Sequence, residues 1–180
     1  MGMSPQSGLP QNNRVGDIDV YALPVILKET GLTLEQALEV LANKSGLEGM
    51  STVGGDLRDI EAAADHGNAH AQLALDHYIA SIRHYLGGYL VELGGADAIV
   101  FTGGIGENSS LIRQGVCRGL EWFGIELDAA KNATAKGESL LSSPSSRTQI
   151  WAIPTNEEII VARQSRDLLA SLGKSAQAQA

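Results

Sequence analysis

The chain has 180 residues, of which 43% are apolar, enough for one ordinary domain with a real core. Acidic residues outnumber basic ones by 21 to 13, and no basic patch stands out, so we expect neither duplex nucleic acid nor an anionic membrane as a partner. The single cysteine, Cys117, allows no intramolecular disulfide. With no signal peptide pattern and no long apolar run, these features predict a cytoplasmic location.

Helices dominate the first half of the predicted element order. After a loop over 1–16, apolar spacing predicts four helices, with approximate bounds 17–29, 33–46, 56–67 and 68–93. A glycine-rich loop over 47–55 separates the second from the third. Three of the helices begin at a side chain able to accept a hydrogen bond from a free amide, namely Asp17, Thr33 (with Gln36 as a capping box) and Asp56. The pair Gly87–Gly88 in the long helix predicts close packing of another backbone there.

Two strands with helices behind them are predicted in the second half. The strands cover 97–102 and 149–153. The helices cover 108–120, 128–135 with Asp128 as its N-cap, and the segment that follows Thr155. Residues 136–148 read as a polar loop and 173–180 as a disordered tail. Two strands cannot form a stable sheet core, so we expect either further strands or a chain that is part of something larger.

A glycine-rich turn follows the first strand in "DAIVFTGGIGENSS", and Asn108 and Ser109 at its end are both good helix N-caps. Glycines allow backbone amides to approach a ligand closely, and a helix N-terminus behind them favours phosphate. The segment is neither a dinucleotide fingerprint, because Ser109 stands at the third glycine position, nor a P-loop, because the Gly-Lys-Ser/Thr ending is missing. A purely structural turn is an equally good interpretation of these residues alone.

Three charged positions are further candidates. Arg58 follows the pair Gly54–Gly55 and could stack on a base or bind phosphate, with Asp56 accepting from ribose hydroxyls. Arg14 lies in a loop and could stabilise a transferring phosphoryl group. If Thr155 caps the last helix with Glu158 as its capping-box partner, Glu157 is free to bind a metal beyond the strand end. For each of them an ordinary solvated charge is the alternative.

In this order, the segments "NRVGDID", "GDLRDIE", "DAIVFTGGIGEN" and "IPTNEE" resemble the acetate kinase family, within the superfamily of acetate and sugar kinases, Hsp70 and actin. The resemblance implies an α/β fold: a helix-rich, ribonuclease H-like (actin-like ATPase) domain over 1–172. It implies that this domain is truncated at its amino-terminal strands. It also implies ATP or ADP and Mg²⁺ as cofactors and phosphoryl transfer between ATP and acetate, giving acetyl phosphate and ADP.

The resemblance also implies roles for individual residues. Arg14 would stabilise the transferring phosphoryl group, and Glu157 would bind magnesium. The remaining residues would hold the adenine nucleotide: Asp56, Leu57, Arg58, Gly104, Ile105, Gly106, Glu107 and Asn108.

Members of this family are longer, and the 180 residues contain no counterpart of the family's acid-binding arginine, catalytic aspartate or His-Leu-Gly-Asn-Gly phosphate loop. We therefore expect the carboxy-terminal half of such an enzyme, inactive by itself. The alternatives are a propionate or butyrate kinase and a non-catalytic nucleotide-binding or assembly module. An unpaired edge on the first strand, together with the family's dimerisation through this half, predicts a homodimer or another form of self-association.

Overall fold

A computed structural model describes residues 6–156 and 158–177, with side chains described as far as residue 169. In chain order the helices are α1 Ala22–Thr30, α2 Leu34–Asn43, α3 Gly46–Ser51, α4 Leu57–Asp65, α5 Ala69–Glu92, α6 Gly103–Asn108, α7 Ser110–Cys117, α8 Ala129–Thr134 and α9 Glu158–Gln177. The strands are β1 Ala98–Phe101, β2 Ser139–Leu140 and β3 Gln149–Ala152. The protein is a helix-rich α/β chain with a small sheet.

The three strands form one sheet in the order β1-β3-β2. β1 and β3 pair in parallel, with Ala98 opposite Gln149 and Phe101 opposite Ala152, whereas β2 runs antiparallel to β3. β2 lies inside the segment 136–148, which was predicted as a polar loop. The prediction missed it because its two residues pair through the backbone, which requires no apolar pattern. Within the described residues β1 is an edge strand and pairs only with β3.

The long helix α5 is the centre of the packing and lies against α3, α4 and α7. One continuous cluster of buried apolar side chains links these helices to the sheet. Its fully buried members include Leu47, Ile60, Leu75, Val116 and Ile150. Burying side chains of this size contributes about 1.5–3 kcal/mol each, so this cluster holds the helices on the sheet.

Local capping signals predicted several helix starts correctly. The Thr33–Gln36 capping box is present in full at the start of α2. Asp56 accepts from the Arg58 amide at α4. Asp128 accepts from the amides of the second and third residues of α8. A side chain that satisfies an orphan amide of its own helix acts within a few residues, so the local sequence suffices to identify it.

The first helix begins later than predicted. Asp17 is not its N-cap, because its carboxylate accepts from the Gly8 amide at 2.8 Å and from the Tyr85 hydroxyl on α5. Helix α1 therefore begins at Ala22, after Tyr21, whose side chain makes no capping bond. The partners of Asp17 lie far away in sequence, which local patterns cannot reveal.

Two glycine-based predictions are also wrong. Most of α3 lies in the segment 47–55, which was predicted as a loop. The helix begins at Gly46, which has a left-handed conformation and was predicted to end the preceding helix. A side-chain carbon placed on Gly87 or Gly88 would meet nothing within 4 Å in the described part of the chain, so no backbone packs closely there.

The predicted glycine turn after β1 is itself helical. Residues 103–108 form α6, and a second helix begins after Ser109, whose hydroxyl accepts from the Ile112 amide at 3.0 Å. Of the three glycines in this segment, only Gly103 has a left-handed backbone conformation, with φ +72°. Residues 104–108 therefore present a helix side, not an open loop, to their surroundings.

The last helix also starts differently from the prediction. The Thr155 hydroxyl donates to Glu107 Oε1 at 3.2 Å, and Asn156 Oδ1 accepts from the Ile159 amide at 3.1 Å. Within the described residues Asn156, not Thr155, thus serves the first turn, and the predicted Thr155–Glu158 capping box is not formed. α9 also continues through 173–177, where the sequence predicts a tail. No helix in the described ranges has the length and apolar character needed to cross a membrane.

Candidate functional site

A groove between α4 and α6 brings together predicted site residues that are far apart in sequence. Its volume is about 720 Å³. Six of its lining residues were predicted to hold nucleotide: Asp56, Leu57, Arg58, Gly104, Ile105 and Asn108. We call it the α4–α6 groove. One wall, α4, packs directly against α5. The other, α6, is joined at Ser109 to α7, which packs against the same long helix.

Asp56 and Arg58 form a tight pair at the mouth of this groove. Asp56 Oδ2 lies 2.5 Å from Arg58 Nη2, and Oδ1 accepts from both Nε and the backbone amide of Arg58 at 3.0 Å. These hydrogen bonds lower the pKa of Asp56 to about 2, so the carboxylate is charged at neutral pH. The Arg58 side chain is 87% exposed, which leaves its flat face open to a ligand.

Two predicted nucleotide residues on α6 do not line the groove. Glu107 Oε1 accepts from the amide and the hydroxyl of Thr155, at 2.9 and 3.2 Å, so its carboxylate ties α6 to the end of β3. A side-chain carbon on Gly106 would lie 3.2 Å from the Phe101 carbonyl carbon, which indicates that this glycine packs against the strand end. Both residues thus connect α6 to the ends of the strands.

The Arg14 loop is held by the start of α3. The amides of Ser45, Leu47 and Glu48 donate to the carbonyls of Asn13, Gln11 and Asn12 respectively, at 2.8–2.9 Å. These are amides that have no partner inside a helix, so the loop satisfies them.

Gly46 makes this contact possible. It is buried and has φ +62°. A side-chain carbon on it would lie 2.2 Å from the Gln11 carbonyl oxygen and 2.4 Å from that of Arg14. Only glycine fits there without displacing the loop.

A second groove, of about 480 Å³, adjoins the first and contains Arg14. We call it the Arg14 groove. It shares Asn12 and Ile105 with the α4–α6 groove. Arg14 is the one charged side chain among the described residues that line it, so the two grooves together offer a mixed apolar and polar cleft with a cation at one end.

Sequence reasoning missed three residues of the α4–α6 groove: Asn12, Glu61 and Ser109. Glu61 could have been found, since it lies one helical turn after Leu57 and so shares its face of α4. Ser109 was noticed only as a possible cap. Asn12 lines the groove through the loop geometry set by α3, a contact between distant segments for which the sequence carries no local signal.

Arg113 also escaped prediction, although it organises α6. It is 2% exposed, and its Nη1 donates to the carbonyls of Gly106 and Glu107 at 2.9 and 2.8 Å. Its Nε and Nη2 donate to the side chain and the backbone of Asn132 at 2.7 and 3.0 Å. Burial lowers the pKa of Arg113. The residue thereby links the last turn of α6 to α8.

The predicted metal ligand, Glu157, lies outside the described residues. Among those that are described, no group of three or more His, Cys, Asp or Glu side chains could hold a metal ion. Glu107 Oε1 and Asn156 Oδ1 each accept a hydrogen bond from a backbone amide of the chain. Mg²⁺ is commonly held by only one or two carboxylates together with substrate phosphates, so a single glutamate suffices for that mode.

Two other features lie away from these grooves. A depression of about 770 Å³ between α5 and α7 contains none of the predicted site residues. Cys117 is buried, and burial raises the pKa of its thiol to about 12, so it is not a nucleophile at neutral pH.

Comparison with known proteins agrees with the sequence motifs. The model of the acetokinase family matches residues 1–163. An acetate kinase of Geobacillus sp. (strain WCH70) is 45% identical over 163 residues, which are 91% of this chain and 41% of that protein. An acetate kinase of Treponema denticola is 44% identical over 94% of this chain and 43% of its own length. The chain therefore spans about two fifths of the length of these relatives.

Solved structures give the same result. The crystal structure of Porphyromonas gingivalis acetate kinase matches 94% of this chain with a TM-score of 0.87 and 38% identity. A propionate kinase from Francisella tularensis matches 90% of it with a TM-score of 0.82 and 31% identity. This chain covers 43% and 41% of those two structures respectively.

Proposed function

Because the chain belongs to the acetokinase family, we propose that it forms the nucleotide-binding part of an acetate kinase, which transfers a phosphoryl group between ATP and acetate. The observation that carries this proposal is the α4–α6 groove. It unites residues 56–58 with Gly104, Ile105 and Asn108 beside the Arg14 groove. We further propose that the fold is part of a ribonuclease H-like domain, which the structural match to an acetate kinase supports.

The charges of the two grooves suggest how a nucleotide lies in them. The α4–α6 groove carries two carboxylates, Asp56 and Glu61, against one guanidinium, Arg58, so it suits an uncharged nucleoside better than a polyphosphate. Leu57 and Ile105 provide apolar surface for a base. The cation of the adjoining groove, Arg14, suits the phosphates. We therefore propose that adenosine occupies the α4–α6 groove and that the phosphates extend toward Arg14.

In this arrangement Arg14 would stabilise the charge that develops on the oxygens of the moving phosphoryl group. Phosphoryl transfer requires little covalent chemistry from the protein, so catalysis consists of positioning the reactants and stabilising charge. The α3 amides and Gly46 hold the loop that carries this arginine, so its position is fixed before a substrate arrives. A fixed cation is more effective than one that must be reorganised during the reaction.

We propose Glu157 as the residue through which this chain contributes to binding Mg²⁺. When bound with the nucleotide, the ion would neutralise phosphate charge. The role of Glu157 would be to hold the ion at the strand end, directly or through water.

For the phosphoryl acceptor we propose acetate. The relatives named acetate kinases are 45% and 44% identical to this chain, and the structure of an acetate kinase is 38% identical. The propionate kinase is 31% identical. Propionate is the second candidate acceptor, supported by the high structural similarity of that kinase.

We expect the 180-residue chain by itself to bind ADP and to show little or no turnover, since it lacks the acid-binding arginine and catalytic aspartate that the family resemblance implies. Calorimetric titration with ADP, with and without Mg²⁺, combined with a coupled acetate kinase assay on the same preparation, tests this. Binding without turnover is the expected result. Turnover at the rate of an ordinary kinase would contradict the division of roles, and no binding would contradict the proposed nucleotide site.

We also propose that the chain self-associates, as a homodimer or a larger assembly. β1 is an edge strand with Val100 48% exposed, and α9 carries exposed apolar side chains that include Ile160, Val161 and Leu168. Unpaired edges and apolar faces of this kind favour association with another chain.

A further inference from the structure

Glu61 is a carboxylate of the α4–α6 groove whose position is fixed from two sides. It is half-buried on α4, one turn after Leu57 and Arg58. Its Oε1 accepts from the Ser109 hydroxyl at 2.6 Å. Ser109 is only 6% exposed, and the same hydroxyl accepts from the Ile112 amide at 3.0 Å as the N-cap of α7. The hydroxyl proton is thereby directed to Glu61, and the carboxylate is anchored to the far wall of the groove.

The second carboxylate oxygen, Oε2, accepts no hydrogen bond within the described part of the chain. Two neighbouring donors already have acceptors within the chain. The Arg58 guanidinium pairs with Asp56, and Asn108 Nδ2 donates to the Gly104 carbonyl at 2.7 Å. Glu61 Oε2 therefore offers a hydrogen-bond acceptor to a ligand in this groove, which Leu57 and Ile105 also line.

From this geometry we infer that Glu61 determines the base specificity of the groove, by accepting a hydrogen bond from the exocyclic amino group of a purine. This inference rests on the proposed nucleotide-binding function and names a recognition element within it. The chemistry is complementary, because an ionised carboxylate is only an acceptor and an amino group is a donor.

A base without that amino group would bind less well for a physical reason. Its binding would take Glu61 out of water and leave a charged acceptor without a donor, which is more costly than leaving it solvated. Sites that hydrogen-bond one substrate group reject analogues lacking it on these grounds. We expect the diphosphate of purine riboside, which is ADP without its amino group, to bind at least about tenfold more weakly than ADP.

Calorimetric titration of ADP, purine riboside diphosphate and IDP into the wild-type chain and Glu61→Gln tests the inference. A glutamine can still accept from Ser109 through its oxygen, but it presents an amide donor to the base. We expect Glu61→Gln to lose the preference for ADP over purine riboside diphosphate and to bind IDP, whose ring carries an acceptor, better than the wild type does. Asp59→Asn is the matched control, since it removes an exposed carboxylate on the same helix that does not line the groove. It should keep the wild-type preference.

The outcomes separate this inference from the function on which it rests. If the wild-type chain binds ADP and purine riboside diphosphate equally, or if Glu61→Gln keeps the full preference, the role of Glu61 is refuted while the nucleotide site stands. If the wild-type chain binds no ADP, both are refuted. Thermal melting and circular dichroism of Glu61→Gln establish that any change is not a loss of fold.

Discussion

Arg113 shows how one buried side chain can hold a binding segment in place without touching a ligand. Its guanidinium reaches two carbonyls of the last turn of α6 and both the side chain and the backbone of Asn132. Among the described residues it has no acidic partner, so all of its acceptors are neutral. Five donors arranged in a rigid fork suit such a cluster of carbonyls.

Arg113→Met should destabilise the chain by about 2–4 kcal/mol, because it leaves buried acceptors of Asn132 and of α6 without donors. Urea unfolding followed by circular dichroism measures this change. Arg118→Met, at an exposed position nearby, is the control and should stay within about 0.5 kcal/mol of the wild type. Equal stability of the two variants would contradict the structural role given to Arg113.

The Asp56–Arg58 pair makes a pH-dependent contribution at the start of α4. Hydrogen bonds from Arg58 lower the pKa of Asp56 from 3.8 to about 2. A lowered folded-state pKa gives stability that is complete above the unfolded value and is lost as the pH falls toward the folded value. The effect is small because the pair is exposed.

We expect Asp56→Asn to be less stable than the wild type at pH 7 by a margin that shrinks as the pH falls from 4 to 2. Asparagine still caps the helix but cannot carry the charge. Urea unfolding of both proteins across this pH range measures the difference. A margin that is independent of pH would mean that the ionised form of Asp56 contributes nothing.

At the scale of elements, the Arg14 loop and α3 form one unit through the contact at Gly46. Gly46→Ala should destabilise the chain by about 2 kcal/mol or more, because the side chain would meet backbone oxygens in a left-handed conformation. Gly87→Ala is the matched control. It lies inside α5, where an added side-chain carbon has no described residue within 4 Å, and the substitution should stabilise the chain by about 0.5–1 kcal/mol. Thermal melting of both variants gives the comparison, and the same sign for both would contradict this interpretation.

The elements also show which parts of the fold sequence reasoning can reach. The capping residues of α2, α4 and α8 were predicted because each acts on its own helix within three residues. Asp17 and Thr155 were wrongly predicted as caps. Their side chains instead form hydrogen bonds with residues distant in sequence, Asp17 with Tyr85 and Thr155 with Glu107. Local rules fail where a tertiary contact offers the same group a better partner.

The candidate site follows the same rule. The motifs that contain Arg58 and Gly104 are visible in the sequence, and the family resemblance predicts a common ligand for them. Asn12, Ser109 and Arg113 act through contacts between separate elements. No periodicity or spacing in the sequence brings those elements together, so these residues became visible only in three dimensions.

At the scale of the whole molecule, exposed apolar surface on β1 and α9 predicts self-association. Val100→Lys should weaken it, because a charge on an edge strand disfavours pairing with another edge. Light scattering over a range of concentrations compares this variant with Leu73→Lys, a similar change on an exposed position of α5. A strictly monomeric wild-type chain at high concentration would contradict the proposal.

The central claim is that the α4–α6 groove binds adenine nucleotide, and calorimetric titration of ADP into Gly104→Val tests it most directly. A side-chain carbon on Gly104 would meet none of the described residues within 4 Å, so valine should project into the groove without disturbing the fold. Gly88→Val, equally unobstructed on α5, controls for the cost of valine in a helix. We predict at least about tenfold weaker ADP binding for Gly104→Val, a change of 1.4 kcal/mol or more, and wild-type affinity for Gly88→Val. Unaltered ADP affinity in a folded Gly104→Val chain would contradict the account.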